Sequence, residues 1–214
     1  MIETFVFDWS GVISNDAPIV YEANMQLLDD IGRERISFED WKRLSALTPA
    51  GFLRNCGIEC DEQETFETYR AYFNQLVTDV NKPEIVPGAK DTLENLRAKG
   101  RRLFVLSSHP AQNLRQEMQR YHVDKYHDDE LYENVFGSIL EKSVGLIAIC
   151  HGLSVSGNSV LYTGDTIHDI QAAKEAGVRS CAIANDYAYH SRERLHAEDP
   201  DFLFGDITLV TRVI

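Results

Sequence analysis

Asp8 closes the apolar run Thr4-Phe5-Val6-Phe7, and Asp165 follows the run Ser159-Val160-Leu161-Tyr162-Thr163 by one glycine. Asp169 stands four residues beyond Asp165, so on a helical start the two carboxylates share one face and can approach one cation. Three carboxylates without sulfur or paired histidines suit magnesium, a hard ion that prefers oxygen. Ser107, with Ser108 and His109 behind it, ends the run Leu103-Phe104-Val105-Leu106 and offers a hydroxyl and neighbouring N–H groups to a phosphate oxygen. Lys142, after Glu141, offers a mobile positive charge. Phosphoryl transfer asks for little more than an aligned nucleophile and neutralised charge, and this set can supply both. Each member also has a plainer explanation. Asp8 could be a turn residue, Asp165 and Asp169 could serve the positive end of a helix dipole, Ser107 could cap a helix, and Lys142 and His109 could be solvated.

The elements that must position these groups alternate. Runs that are apolar without strict alternation, at 4–7, 103–106, 159–163 and 179–183, suit strands buried on both faces of a parallel sheet. Helical spacing lies between them. Pro87-Gly88 introduces Ala89 to Lys99 with Gly100 as its stop, Pro110 opens a helix carrying Leu114 and Met118, and Ile170 to Ala176 ends at Gly177. This order predicts an α/β fold, a Rossmann-like doubly wound parallel sheet whose ligands gather at the carboxyl ends of the strands. All the candidate groups but Lys142 fall there or just beyond.

Residues 14–84 have a different character. Ile19 to Ile31 is amphipathic, Ser37 with Asp40 resembles a capping box before Trp41 and Leu44, and Phe66 to Val80 carries aromatic residues at three- and four-residue spacing. No strand pattern occurs in this stretch. The expected division is therefore a core of residues 1–13 and 85–214, with an all-helical cap of residues 14–84 inserted. Thr48 to Arg54 is the expected specificity loop, with Arg54 or Arg43 available for a second anionic group.

Bulk properties narrow the partners. The 214 residues are 43% hydrophobic and 26% charged, the balance of a globular protein. A net charge of −13 argues against a nucleic-acid partner, since nothing offsets phosphate repulsion over the whole surface. No stretch approaches the ~20 apolar residues of a spanning helix, and Met1-Ile2-Glu3 leads directly into a strand-like run, so a cytoplasmic protein is expected. Cys56, Cys60, Cys150 and Cys181 lack zinc-site spacing and read as free, mostly buried thiols. The oligomeric state is not readable.

The run Phe5-Val6-Phe7-Asp8-Trp9-Ser10-Gly11-Val12 resembles the first motif of the haloacid dehalogenase superfamily, normally Asp-x-Asp-Gly-Thr/Val. Val105-Leu106-Ser107 is similar to the second motif, Lys142 to the third, and Gly164-Asp165-Thr166-Ile167-His168-Asp169 to the fourth. The insertion matches the family's cap in position. The resemblance implies a magnesium-dependent hydrolase of a small phosphorylated metabolite, in which Asp8 attacks phosphorus and forms an aspartyl-phosphate. It further implies magnesium at Asp8, the Ser10 carbonyl, Asp165 and Asp169, with the transferring group held by Ser107 and Lys142.

Ser10 departs from that pattern, because family phosphatases carry there the aspartate that protonates the leaving group. Such help is worth roughly 10²–10⁴-fold, and an alcohol cannot replace it as an acid. Three readings stay open. The first is a phosphatase whose donor is absent, dispensable or replaced by His109 or Asp16. The second is a carbon–phosphorus hydrolase of the phosphonoacetaldehyde type, which needs a cap lysine, the nearest being Lys42. The third is a binding or regulatory protein without turnover.

Overall fold

The computed structural model describes residues 1–77, 83–108, 111–123 and 141–213. Strand β1 (Thr4–Phe7) leads through β2 (Ser14–Asn15) into helices α1 (Ala17–Asp30), α2 (Phe38–Leu44), α3 (Pro49–Asn55) and α4 (Glu62–Leu76), and the chain returns through β3 (Glu84–Ile85). Then follow α5 (Ala89–Ala98), β4 (Arg102–Val105), α6 (Ala111–Tyr121), α7 (Lys142–Leu153), β5 (Val160–Gly164), α8 (Ile167–Ala176), β6 (Arg179–Ile183), α9 (Arg192–Ala197) and β7 (Phe202–Phe204).

Strands β4-β1-β5-β6-β7 form one sheet in that order, every pair parallel. Strands β1 and β5 are buried along their whole length, which is why both read as continuous apolar runs. The expected α/β fold is the observed one. Register decides what meets at the sheet edge. Phe7 lies beside Val105 on one side and Thr163 on the other. Beyond them the ladder continues, with the Leu106 N–H donating to the Phe7 carbonyl and the Asp8 N–H to the Thr163 carbonyl. Asp8, Ser107 and Asp165 therefore emerge from adjacent strands spaced about 4.8 Å apart, at their carboxyl ends.

The helices between β2 and β3 bury a second apolar cluster of their own, in which Met25, Leu28, Trp41 and Phe52 pack together. Polar side chains start three of these helices. Ser37 accepts from the Asp40 N–H, Thr48 from the Gly51 N–H and Asp61 from the Glu64 N–H, each occupying an otherwise unpaired amide. One expectation needs correction: the 14–84 stretch is not free of strands. Ser14 pairs with Ile85 and Asn15 with Glu84 in an antiparallel ribbon where the chain leaves and rejoins the sheet region. Two-residue strands are too short to show a period. All four cysteines are free, but only Cys181 is fully buried. Among the described residues, no helix is long and apolar enough to cross a membrane.

Candidate active site

The turn after β1 folds tightly, with the Ile13 and Ser14 N–H groups both donating to the Trp9 carbonyl at 2.8 Å. Gly11 has a φ of +70°, and a Cβ there would lie 2.1 Å from Asp165 Oδ2. Only glycine lets this loop pass so close to that carboxylate. Gly164 is similarly constrained on the other side, where a Cβ would meet the Asp169 Cβ at 2.2 Å.

One oxygen from each of Asp8, Asp165 and Asp169 lies within 4.8 Å of the others, and all three residues are buried. Lys142, on the first turn of α7, donates to Asp169 Oδ1 at 2.6 Å and stands 2.9 Å from Asp8 Oδ2. Asp169 is the most heavily bonded of the three. Tyr162 donates to its Oδ1 at 2.9 Å, and the Thr166 N–H and hydroxyl donate to its Oδ2 at 3.0 and 2.6 Å. Thr166 and Asp169 also cap α8 reciprocally. Asp165 Oδ2 accepts the Tyr189 N–H at 2.6 Å. Its Oδ1 is buried and has no hydrogen-bond partner.

The electrostatics follow from three carboxylates facing one ammonium. Burial, opposed by Lys142 and reinforced by Asp169, raises Asp8 to about 6. Burial, with the charges of Asp169 and Asp8, lifts Asp165 well above the ordinary carboxylate range. Burial also works to raise Asp169, but the Lys142 charge and the bonds from Lys142, Thr166 and Tyr162 overcome it and hold the carboxyl low. Lys142 keeps its proton because Asp169 and Asp8 outweigh the cost of burying it.

This donor set fits magnesium. It offers only oxygen, carries more negative charge than Lys142 neutralises, and leaves a buried carboxylate oxygen unbonded, a cost that a hard cation would relieve.

A cavity of about 570 Å³ opens over this cluster. Asp8, Ser10, Ser108, Lys142, Asp165 and Thr166 line its floor, and Trp41, Phe52, Phe66, Tyr69 and Phe73 from the helical insertion line its far wall. Ser107 is buried beside it. His109 lies outside the described residues. The Ser10 hydroxyl donates to Asp16 Oδ2 at 2.7 Å, and the Tyr189 hydroxyl donates to Asp16 Oδ1 at 2.9 Å.

Two expectations fail here. Arg54 is paired with Glu62 at 2.7 Å and Arg43 with Asp40 at 2.8 Å, so neither reaches the cavity. Both answer an acidic residue close along the chain, which is the cheaper partner. The segment from Thr48 to Arg54 is the capped start and body of helix α3 instead of a loop, and its Thr48, Pro49 and Phe52 do line the cavity.

Sequence reasoning also misses residues. Tyr162 falls within an apolar run, and Tyr189 approaches Asp165 from 24 residues away, which no local pattern reveals. His190 is pushed down to about 3 by burial and by Arg194, so its neutral ring accepts the Ile167 N–H through Nδ1 at 3.0 Å. Thr166 was recoverable, since threonine three residues before Asp169 is itself a capping pattern.

Comparison with known proteins agrees with this architecture. A phosphoglycolate phosphatase of Synechococcus elongatus is 25% identical over 204 residues, covering 94% of this chain and 92% of its own. One from Vibrio parahaemolyticus is 24% identical, covering 100% and 96%. Among solved structures, a haloacid dehalogenase-like hydrolase from Streptococcus pneumoniae superposes with a TM-score of 0.80 at 16% identity, covering 99% of this chain and 98% of that one. A predicted phosphoglycolate phosphatase from Haemophilus somnus superposes at 0.76 with 19% identity, covering 99% and 97%. The family model for haloacid dehalogenase-like hydrolases matches residues 5–183, and the chain belongs to that family.

Proposed function

We propose that this chain is a magnesium-dependent phosphoric monoester hydrolase of the cytoplasm, acting on a phosphorylated metabolite through an aspartyl-phosphate at Asp8. The observation that carries this reading is the buried cluster of Asp8, Asp165 and Asp169 within 4.8 Å, with Lys142 bridging Asp8 and Asp169. The relatives named as phosphatases support the reaction class. Four unpaired thiols suit a reducing compartment.

In this reading residues 1–13 and 85–214 are the catalytic core and 14–84 the cap. Asp8, Asp165, Asp169 and the Ser10 carbonyl hold magnesium, which neutralises charge on the transferring phosphoryl group. The Asp8 carboxylate attacks phosphorus while Lys142 restrains the carboxylate and draws on the phosphoryl oxygens. Ser107 and Ser108, with His109, complete the anion site. Water then cleaves the acyl-phosphate bond and returns Asp8.

The Ser10 hydroxyl proton is committed to Asp16. It is thereby directed away from a leaving group, so the enzyme works without a placed acid at that position. The carbon–phosphorus alternative is disfavoured because, among the described residues of the 14–84 stretch, no lysine lines the cavity. Lys42 donates to the Asp186 carbonyl at 2.9 Å and does not line the cavity. Among the described residues, Lys142 is the only lysine that does.

The test is phosphate release from a panel of monoesters with magnesium and with chelator. Release should require magnesium and fall at least about 10³-fold in Asp8→Asn, because the nucleophile itself is gone. Metal-independent release, or an active Asp8→Asn, contradicts the proposal.

A further inference from the structure

The far wall of the cavity is apolar to a degree that a short polar acid does not require. Phe66 and Leu47 are 46% and 42% exposed, and both line the cavity rather than a shared core. Behind them Trp41 and Phe52 are almost wholly buried, while Tyr69 and Phe73 stack on each other with centroids 6.1 Å apart. The volume of about 570 Å³ falls among sites that hold drug-sized ligands. Phosphoglycolate's roughly nine heavy atoms, even at about 30 Å³ apiece, would fill roughly half of it.

The charges facing the cavity point the same way. A glycolate carboxylate needs a cation, yet Lys142 is already engaged by Asp8 and Asp169. Among the described residues, Arg70 is the one arginine lining the cavity, and it is exposed, where an ion pair contributes little.

Ser10 supplies a second, independent observation. With its hydroxyl proton on Asp16, Ser10 does not protonate a departing alkoxide. A phenol, with a pKa near 10 like that of tyrosine, departs as a phenolate far more readily than an alkyl alcohol.

Resting on the phosphatase reading above, we propose that the substrate class is aryl phosphomonoesters, with the aromatic ring seated against Phe66, Tyr69, Phe73 and Trp41. The Asp8 oxygen forms the new bond to phosphorus. The phosphorus–aryl oxygen bond breaks with its electron pair left on the aryl oxygen, and the phenolate takes its proton from solvent after release.

Non-hydrolysable phosphonates separate ring recognition from leaving-group reactivity. Calorimetric titration with magnesium present should show naphthylmethylphosphonate binding at least tenfold tighter than 3-phosphonopropionate. Phe66→Ala, a change at an exposed position that leaves the fold intact, should weaken the naphthyl ligand about fivefold or more and leave the carboxylate ligand unchanged. Equal or tighter binding of 3-phosphonopropionate, or equal weakening of both by Phe66→Ala, overturns the aryl class. Turnover of phosphoglycolate with poor turnover of naphthyl phosphate overturns it while leaving the phosphatase reading standing. Absence of both phosphonate binding and phosphate release overturns the two together.

Discussion

Ser10 is the residue on which the chemistry turns. Its hydroxyl, one hydrogen bond from Asp16, cannot act as an acid, and a carboxyl placed there would lie against a second carboxyl. Two such groups share one proton, because like charges at that separation cannot both ionise. Ser10→Asp therefore creates a held proton donor beside the leaving group. Single-turnover hydrolysis of an alkyl phosphate should rise at least about tenfold, a modest share of what a placed acid contributes. An aryl phosphate should change by less than about threefold, since its leaving group needs little protonation. A gain of equal size on both substrates, or on neither, would mean that Ser10 is not the site of the missing acid.

At the scale of elements, the sheet strands that carry the site were legible because a strand buried on both faces must be apolar throughout. The helix after Gly164 begins at Ile167, three residues before the apolar spacing from Ile170 shows it, because its first turn is built on the reciprocal cap of Thr166 and Asp169. Strand β7 leaves no clear sequence signal because its three residues are only half-buried, and the β2–β3 ribbon leaves none because two residues carry no period. Asp8, Asp165, Asp169 and Lys142 were legible from type and order. Their supporting partners Tyr162 and Tyr189 were not, because those bonds depend on how separate loops converge. One such convergence joins the insertion to the core. Arg194, at the start of α9, donates through Nη1 to the carbonyls of Lys42 and Arg43 at 2.8 and 3.1 Å, occupying acceptors at the end of α2. Ser45 adds a bond to the Tyr189 carbonyl at 3.2 Å, and Trp41 packs on the Tyr189 ring at 5.4 Å. Because Tyr189 also holds Asp165, this contact ties cavity wall to floor. Arg194→Ala should cost about 1–3 kcal/mol, as expected for bonds to a charged donor. It should also speed amide exchange in α2 before the sheet is affected. Unchanged exchange in α2 would show that the contact is incidental.

For the whole molecule, the carboxylate cluster makes stability depend on pH and metal together. Asp8 titrates near 6 in the folded chain against 3.8 for a free carboxyl, and Asp165 higher than its ordinary value. Between these limits the unfolded chain has released protons that the folded chain retains. The metal-free protein is therefore favoured at low pH and loses that contribution as pH rises from about 4 through 6. The Asp8 shift alone corresponds to about 3 kcal/mol. Asp169, held low, acts in the opposite sense but only below the ordinary carboxylate range. Thermal unfolding without metal should show this decline, and magnesium should reverse it at pH 7.5. Asp165→Asn should be more stable than the native chain at that pH without metal, and should gain little from magnesium. A native chain that is indifferent to magnesium at pH 7.5 would remove the metal from the account. The central claim is that the Asp8 carboxylate takes the phosphoryl group, and it is tested most directly by rapid acid quench of a single turnover with a radiolabelled phosphomonoester. The account predicts transient label on the peptide containing Asp8, released by hydroxylamine and absent in Asp8→Asn. Full turnover with no labelled protein at any time, and with Asp8→Asn still active, would contradict it.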